Sequence, residues 1–203
     1  MKHETASMMA EARGCGSLLS RKGRAGIVAL LCAMALLSTS PVFPQKMPKL
    51  EPREGTRPGH RAHAFNLKDL DGKPYDLKMM NENGRVVHVV FWATWCFPCI
   101  EEIPHLREAY AKYRERGLEV LGIVMNINQT REGVRSFMED YEINYPILWD
   151  DGQIAQRYNV SQIPQNFLIG KDGIILHSGS SLPSDYHAVL EKMLGMNGAA
   201  RSD

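Results

Sequence analysis

The sequence has no run of roughly 20 consecutive apolar residues, the length a membrane-spanning helix needs. It contains four cysteines, too few for a disulfide-built scaffold. Two of them form a single C-x-x-C, and without a second such pair the zinc-ribbon arrangement is excluded. Net charge is nearly absent, at +1, so nothing draws the chain as a whole toward nucleic acid. There is no internal repeat. Residues 1–40 hold the basic excess, with Lys2, Arg13, Arg21, Lys22 and Arg24 against Glu4 and Glu11. The remaining 163 residues carry 19 basic and 21 acidic side chains, a net of −2. A length of 203 residues allows one domain with appendages.

The appendages read clearly. The basic cluster Arg21-Lys22-Gly23-Arg24 precedes the apolar run from Ala25 to Leu37, which is the pattern of a signal peptide. Ser38 and Ser40 suit a cleavage site and Pro41 does not, so residues 1–40 fit a signal peptide or an uncleaved signal-anchor. The late position of the basic cluster leaves Met8 or Met9 as an alternative start. Cys32 lies inside the apolar run behind bulky Leu30 and Leu31, a poor setting for lipid attachment, and Cys15 is also in this segment. Residues 41–59 repeat proline at 41, 44, 48, 52 and 58 among charged residues, which reads as a linker or an irregular arm on the domain. The domain is expected over 60–195 and a flexible tail over 196–203.

Within the domain, Ala64–Leu67 and Tyr75–Leu77 flank the turn Asp71-Gly72-Lys73-Pro74 and read as two short strands. Val86–Trp92 is an apolar, β-branched run that predicts a buried central strand. A helix follows to Tyr113, with Ile103, Leu106, Tyr110 and Tyr113 on one face, and Pro104 predicts a kink in it. Leu118–Val124 predicts a strand, Arg131–Tyr141 a helix, Tyr145–Leu148 a strand and Gln153–Tyr158 a short helix. Asn166–Ile169 and Ile174–His177 form a hairpin around Lys171-Asp172-Gly173, and Tyr186–Leu194 is a final helix. Alternation followed by a hairpin implies an α/β sheet with helices on both faces.

The chemistry centres on Cys96-Phe97-Pro98-Cys99, which follows the buried strand and opens the helix. A helix N-terminus favours the Cys96 thiolate over the thiol. Cys96 is thus the expected nucleophile, the more exposed of the two, and Cys99, one turn further on, resolves the mixed disulfide. Pro98 in the first turn costs no hydrogen bond. A structural disulfide, half of a metal site and unconnected core thiols are the other readings of a lone C-x-x-C.

The run Val90-Phe91-Trp92-Ala93-Thr94-Trp95-Cys96-Phe97-Pro98-Cys99 resembles the active-site segment of thioredoxins. With Ile100-Glu101-Glu102-Ile103-Pro104 after it, the chain is similar to the exported TlpA/ResA-like thiol–disulfide oxidoreductases, often linked to cytochrome c maturation. The resemblance spans roughly residues 60–195. It implies a thioredoxin fold, with a central mixed sheet flanked by helices, an N-terminal β-hairpin and a central βα-type insertion. Arg131–Tyr141 with Pro146–Trp149 fits that insertion. Val160-Ser161-Gln162-Ile163-Pro164 resembles the loop that carries a cis-proline opposite the cysteines. By the resemblance, Pro164 is cis and Ile163 offers backbone groups to substrate, while Cys96–Cys99 is the redox-active disulfide. It also gives Glu102 a part in proton handling, against the alternative of a solvated surface glutamate. Trp95, Phe97 and Pro98 complete the expected substrate rim, and Trp92 is expected in the core. Thioredoxins carry a buried aspartate six residues before the first cysteine, where this chain has Val90, so that proton route does not transfer.

The expected function is an extracytoplasmic disulfide reductase in the periplasm or on the outer face of a bacterial cytoplasmic membrane. Its partners would be protein disulfides or dithiols and a membrane electron donor, and the N-terminal segment could anchor it. No cofactor, metal or nucleic acid is called for. Three alternatives stand beside it: a disulfide-donating oxidant, a thiol peroxidase of the peroxiredoxin type and a copper-binding chaperone. Ala93 stands where the peroxidase needs Thr or Ser, and the cysteine spacing is one residue short for the copper protein. His88, among buried valines, reads as a satisfied core or sheet-edge histidine, and His105 and His177 form no visible dyad with it. Asp150-Asp151 reads as a turn and helix cap.

Overall fold

The computed structural model describes residues 52–196. The expected signal segment with Cys15 and Cys32, the first part of the Pro-rich stretch and residues 197–203 lie outside the described residues.

Chain order is β1 (Asn66–Lys68), β2 (Pro74–Asp76), α1 (Leu77–Glu82), β3 (Val86–Trp92), α2 (Phe97–Tyr113), β4 (Leu118–Met125), α3 (Arg131–Asp140), β5 (Ile147–Asp150), α4 (Gln153–Arg157), β6 (Gln165–Ile169), β7 (Ile175–Gly179) and α5 (Tyr186–Leu194). β1 and β2 pair as an antiparallel hairpin. Its turn is closed by Asp69, whose Oδ1 accepts from the backbone N–H groups of Asp71 and Lys73. The main sheet has the order β5-β4-β3-β6-β7. β3 is parallel to β4 and antiparallel to β6, so the sheet is mixed. This is the expected α/β architecture, and the inserted strand β5 takes the edge beside β4, to which it is parallel.

All seven residues of β3 are buried, as a central strand covered on both faces demands. Alternation divides them. Val86, Val90 and Trp92 face one core with Leu106 and Ala109 of α2, Val134 of α3 and Leu190 of α5. Val87, Val89 and Phe91 face the other with Leu77 of α1 and Ile154 and Ala155 of α4. Burying each such aliphatic side chain stabilises the fold by roughly 1.5–3 kcal/mol before entropy is counted. Gly122 of β4 lets the strand pass beneath Trp92. A Cβ there would lie 2.5 Å from Ile147 Cδ1 and 2.9 Å from Trp92 Nε1.

Several local expectations need correction. Leu77 is not a strand residue but begins α1, because Asp76 caps a helix and its carboxylate accepts from Met79 N–H at 3.0 Å. Six residues carry too little hydrophobic period to announce a helix. The last strand starts one residue later than expected and runs on to Gly179. The expected helix is there, and α2 runs unbroken from Phe97 to Tyr113 with Pro104 inside it, a residue that has no N–H to donate. Of the two readings of the Pro-rich stretch, its described part is an arm on the domain: Gly59 N–H donates to the Ile175 carbonyl at 2.8 Å, and the backbone of Glu54 pairs with that of Arg61 in an isolated parallel β-bridge. Among the described residues, no helix is long and apolar enough to cross a membrane.

Candidate active site

β3 ends at Trp92, and a tight turn returns the chain into α2, with Cys96 N–H donating to the Ala93 carbonyl at 3.1 Å. Cys96 is the cap residue of α2, with extended backbone (φ −91, ψ 100). Its Sγ accepts from the Cys99 N–H at 3.3 Å, and its carbonyl accepts from Ile100 N–H at 3.1 Å. The sulfur thus takes the place of a serine or aspartate oxygen at a helix N-cap. Pro98 lies in the first turn, where no donor is needed. Cys96 and Cys99 are joined as a disulfide with Cα atoms 5.3 Å apart. In this state the two residues are almost equally buried, at 5 % and 4 % exposure, so the expected difference in exposure is absent. The bond between the two sulfurs holds both in the mouth of the same helix. Position on the helix, not exposure, is what differs between them.

The turn before Cys96 is held from outside by the β4–α3 loop. Thr94 donates to Gln129 Oε1 through its N–H at 3.1 Å and its hydroxyl at 2.9 Å. The Gln129 amide in turn donates to the Met125 carbonyl. Trp95 Nε1 donates to the Ile127 carbonyl at 2.9 Å. Trp95, Phe97 and Ile127 are 54 %, 69 % and 50 % exposed, an apolar rim beside a buried disulfide. Trp92, by contrast, is in the core and packs on Phe137. Ile127 and Gln129 were invisible to sequence reasoning, because an apolar residue in a polar loop carries no signal until the loop is placed.

The Ile163–Pro164 peptide is cis, Pro164 is buried, and the bond leads directly into β6. Two residues further on, Asn166 enters the core and meets Glu102. Glu102 is buried, so it is not a solvated surface residue. Asn166 Nδ2 lies 3.2 Å from Glu102 Oε1 and 3.1 Å from Oε2, and Leu182 N–H donates to Oε1 at 3.1 Å. Burial pushes the Glu102 carboxyl above its ordinary range, while the Asn166 amide, the Leu182 N–H and the His105 charge pull the other way. On the far side of Asn166, His88 is fully buried, with Nε2 2.9 Å from Asn166 Oδ1 and Nδ1 2.7 Å from the Tyr186 hydroxyl. His88 is therefore a satisfied core histidine. Desolvation lowers it to about 4, opposed by its Asn166 bond, so it is neutral at physiological pH. Sequence reasoning missed Asn166, although a polar residue in the apolar run from Asn166 to Ile169 is itself a signal.

Asp150 and Asp151 serve the first turn of α4, although the cap position itself is Gly152. Asp150 is buried and accepts from Ile154 and Ala155 N–H at 3.1 and 2.8 Å, and Asp151 accepts from Gln153 N–H at 3.2 Å. Among the described residues, no set of three His, Cys, Asp or Glu side chains converges as a metal site.

The sequence model of the AhpC/TSA family matches residues 58–178. The chain is 34 % identical over 144 residues to the thiol–disulfide oxidoreductase ResA of Bacillus cereus, covering 70 % of this chain and 81 % of that protein. Among solved structures, a thiol:disulfide interchange protein of the thioredoxin family from Chlorobium tepidum superposes with a TM-score of 0.60 at 26 % identity, covering 68 % of this chain and 98 % of that one. A secreted disulfide oxidoreductase of Mycobacterium tuberculosis superposes with a TM-score of 0.53 at 26 % identity, covering 65 % of this chain and 95 % of that one. A disulfide-capable pair at the mouth of a helix, in this fold and with these relatives, places the chain in the AhpC/TSA family, among the ResA-like thiol–disulfide oxidoreductases.

Proposed function

We propose that this enzyme is an exported reductase of protein disulfides, in which Cys96 attacks and Cys99 resolves. The observation that carries the proposal is the seat of Cys96 at the cap of α2, where its Sγ already accepts a backbone N–H. In the dithiol form, that donor and the helix dipole favour a Cys96 thiolate. The thiolate attacks one sulfur of a substrate disulfide, the other substrate sulfur leaves as a thiolate, and a mixed disulfide forms. Cys99, deprotonated, then attacks Cys96 Sγ. The second substrate sulfur is released and the Cys96–Cys99 disulfide is left. The substrate has gained two electrons and two protons. Glu102, three residues beyond Cys99, is the group we assign to take up the Cys99 proton. Its burial favours this, because a carboxylate held above its ordinary range is a better base.

Trp95, Phe97, Pro98 and Ile163 with the cis-Pro164 loop form the surface we assign to the substrate chain, and Ile127 extends it. The charged head and apolar core of residues 21–37 support export, with the segment either removed or kept as an anchor and residues 41–59 acting in part as a spacer. The secreted Mycobacterium tuberculosis protein agrees with that placement. A membrane dithiol donor would then regenerate the pair, and apocytochrome c is a fitting substrate. The same chemistry run backward is disulfide donation, and the thiol peroxidase reading is disfavoured by Ala93, which offers no hydroxyl.

The test is a trap in the full chain. Cys99→Ser is expected to accumulate mixed disulfides through Cys96, whose partners mass spectrometry identifies, and a chain that forms none does not work by exchange. The reduction potential of the pair settles direction: about −270 mV marks a reductase and about −120 mV a disulfide donor.

A further inference from the structure

Four side chains far apart in sequence form one unbroken polar chain through the core between the sheet, α2 and α5. β3 and β6 are antiparallel with Val90 opposite Asn166 and His88 opposite Leu168. His88 and Asn166 are therefore diagonal neighbours on the same face. Asn166 reaches Glu102 on α2, and His88 reaches Tyr186 on α5. All four residues are buried.

The chemistry of the groups gives this chain a direction. An ionised carboxylate can only accept, so Asn166 must present its NH2 group to Glu102. Its carbonyl then faces His88, so His88 must carry its proton on Nε2. A neutral imidazole protonated there has an acceptor at Nδ1, which leaves Tyr186 as the donor. Every proton in the chain thus points toward Glu102. If His88 instead carried its proton on Nδ1, its bare Nε2 would face the Asn166 carbonyl, and the amide would be driven to turn its own carbonyl onto the carboxylate.

The geometry points to His88 and Tyr186 as positioning residues for Glu102: they fix the Asn166 amide with its donors on the carboxylate and so hold that carboxylate ionised while it is buried. This deepens the proposed part of Glu102 in proton handling and rests on it. Other groups bear on the same carboxylate and set the background against which the chain acts. They are the Leu182 N–H from the β7–α5 loop, His105 on α2, and the Tyr145 and Tyr186 rings, with His177 on β7 acting on His88. Neither Tyr145 nor Tyr186 brings a charge at ordinary pH, because burial raises both phenols.

Nitrogen NMR of the oxidised wild-type protein at neutral pH tests the direction without any substitution. The His88 ring is expected as the Nε2–H tautomer, and an Nδ1–H tautomer overturns the proposal. Carboxyl carbon NMR then follows Glu102 in wild type, His88→Phe and Tyr186→Phe. A rise of its midpoint by about one unit is expected in His88→Phe, with a smaller rise in Tyr186→Phe. An unchanged midpoint in a folded His88→Phe protein overturns it. The pH profile of disulfide exchange is expected to move with that midpoint, and His88→Phe is expected to add no further movement in a Glu102→Gln background. An exchange profile that Glu102→Gln leaves untouched removes Glu102 from proton handling. The carboxyl titration still decides whether His88 and Tyr186 position it.

Discussion

The carboxylate of Glu102 and the side-chain amide of Asn166 meet in the core, with Nδ2 within 3.2 Å of both carboxylate oxygens. Even so, burial outweighs the amide and raises the proton affinity of Glu102. Between the ordinary 4.5 and the raised native value, the native state binds more protons than the unfolded chain. Stability is thus lost as pH rises through that window, and the loss is complete above the native value. Glu102→Gln keeps the size and an acceptor for Leu182 and Asn166 but has no charge to bury. Urea unfolding of the oxidised protein is expected to show the variant gaining on wild type between pH 4 and pH 8. A constant difference across that range contradicts the raised affinity.

His88 gives the opposite slope. Its ring is expected to stay neutral in the fold until about pH 4, against 6.5 when free. As pH falls through that interval, the unfolded chain takes up a proton that the native state refuses, so acid destabilises. Across that interval about 3 kcal/mol is lost by pH 4. His88→Phe loses the bonds to Tyr186 and Asn166 and is expected to be less stable at pH 7, but with this acid limb removed. Unfolding free energies at intervals from pH 7 to pH 4 compare the two slopes.

These two residues also show where sequence reading stops. The central strand was legible because Val86–Trp92 has no polar break except His88, and the redox motif because strand, turn, Cys96 and helix are contiguous. α1 was hidden by its length, and its one signal, Asp76 as a cap, was absorbed into a strand. The contact from Glu102 to Asn166 spans 64 positions and that from His88 to Tyr186 spans 98. The pairing of β3 with β6 brings His88 beside Asn166, and the packing of α2 and α5 on that face brings Glu102 and Tyr186 to them; no local pattern encodes a register or a packing partner. What sequence did offer was a demand. A histidine in a fully buried strand has two ring nitrogens to satisfy, and Asn166 and Tyr186 were there to satisfy them.

Gln129 is expected to matter for the same reason as a cap. One side-chain oxygen accepts both polar hydrogens of Thr94, immediately before the redox motif. Gln129→Leu leaves the Thr94 N–H and hydroxyl without that acceptor in a partly buried turn, at a cost of about 1–2 kcal/mol. The urea midpoint of the oxidised protein reads this directly. Because Trp95 is pinned to the same loop through the Ile127 carbonyl, its fluorescence is expected to shift in the variant as well.

Phe97 occupies the first position of α2, next to Cys96, and is 69 % exposed. It contributes no charge to the helix mouth, so the Cys96 thiolate relies on the helix dipole and the Cys99 N–H. A charge placed at Phe97 then acts on the thiolate with little competition. Phe97→Lys is expected to lower the Cys96 midpoint by about half a unit to one unit, and Phe97→Glu to raise it by a similar amount. Thiolate absorbance of the dithiol form against pH measures both. Because the site is open to water, raising the salt concentration is expected to shrink both shifts. Opposite signs in the two variants identify an electrostatic cause. Equal signs would instead mean that the loss of the aromatic ring, and not the charge, had moved the sulfur.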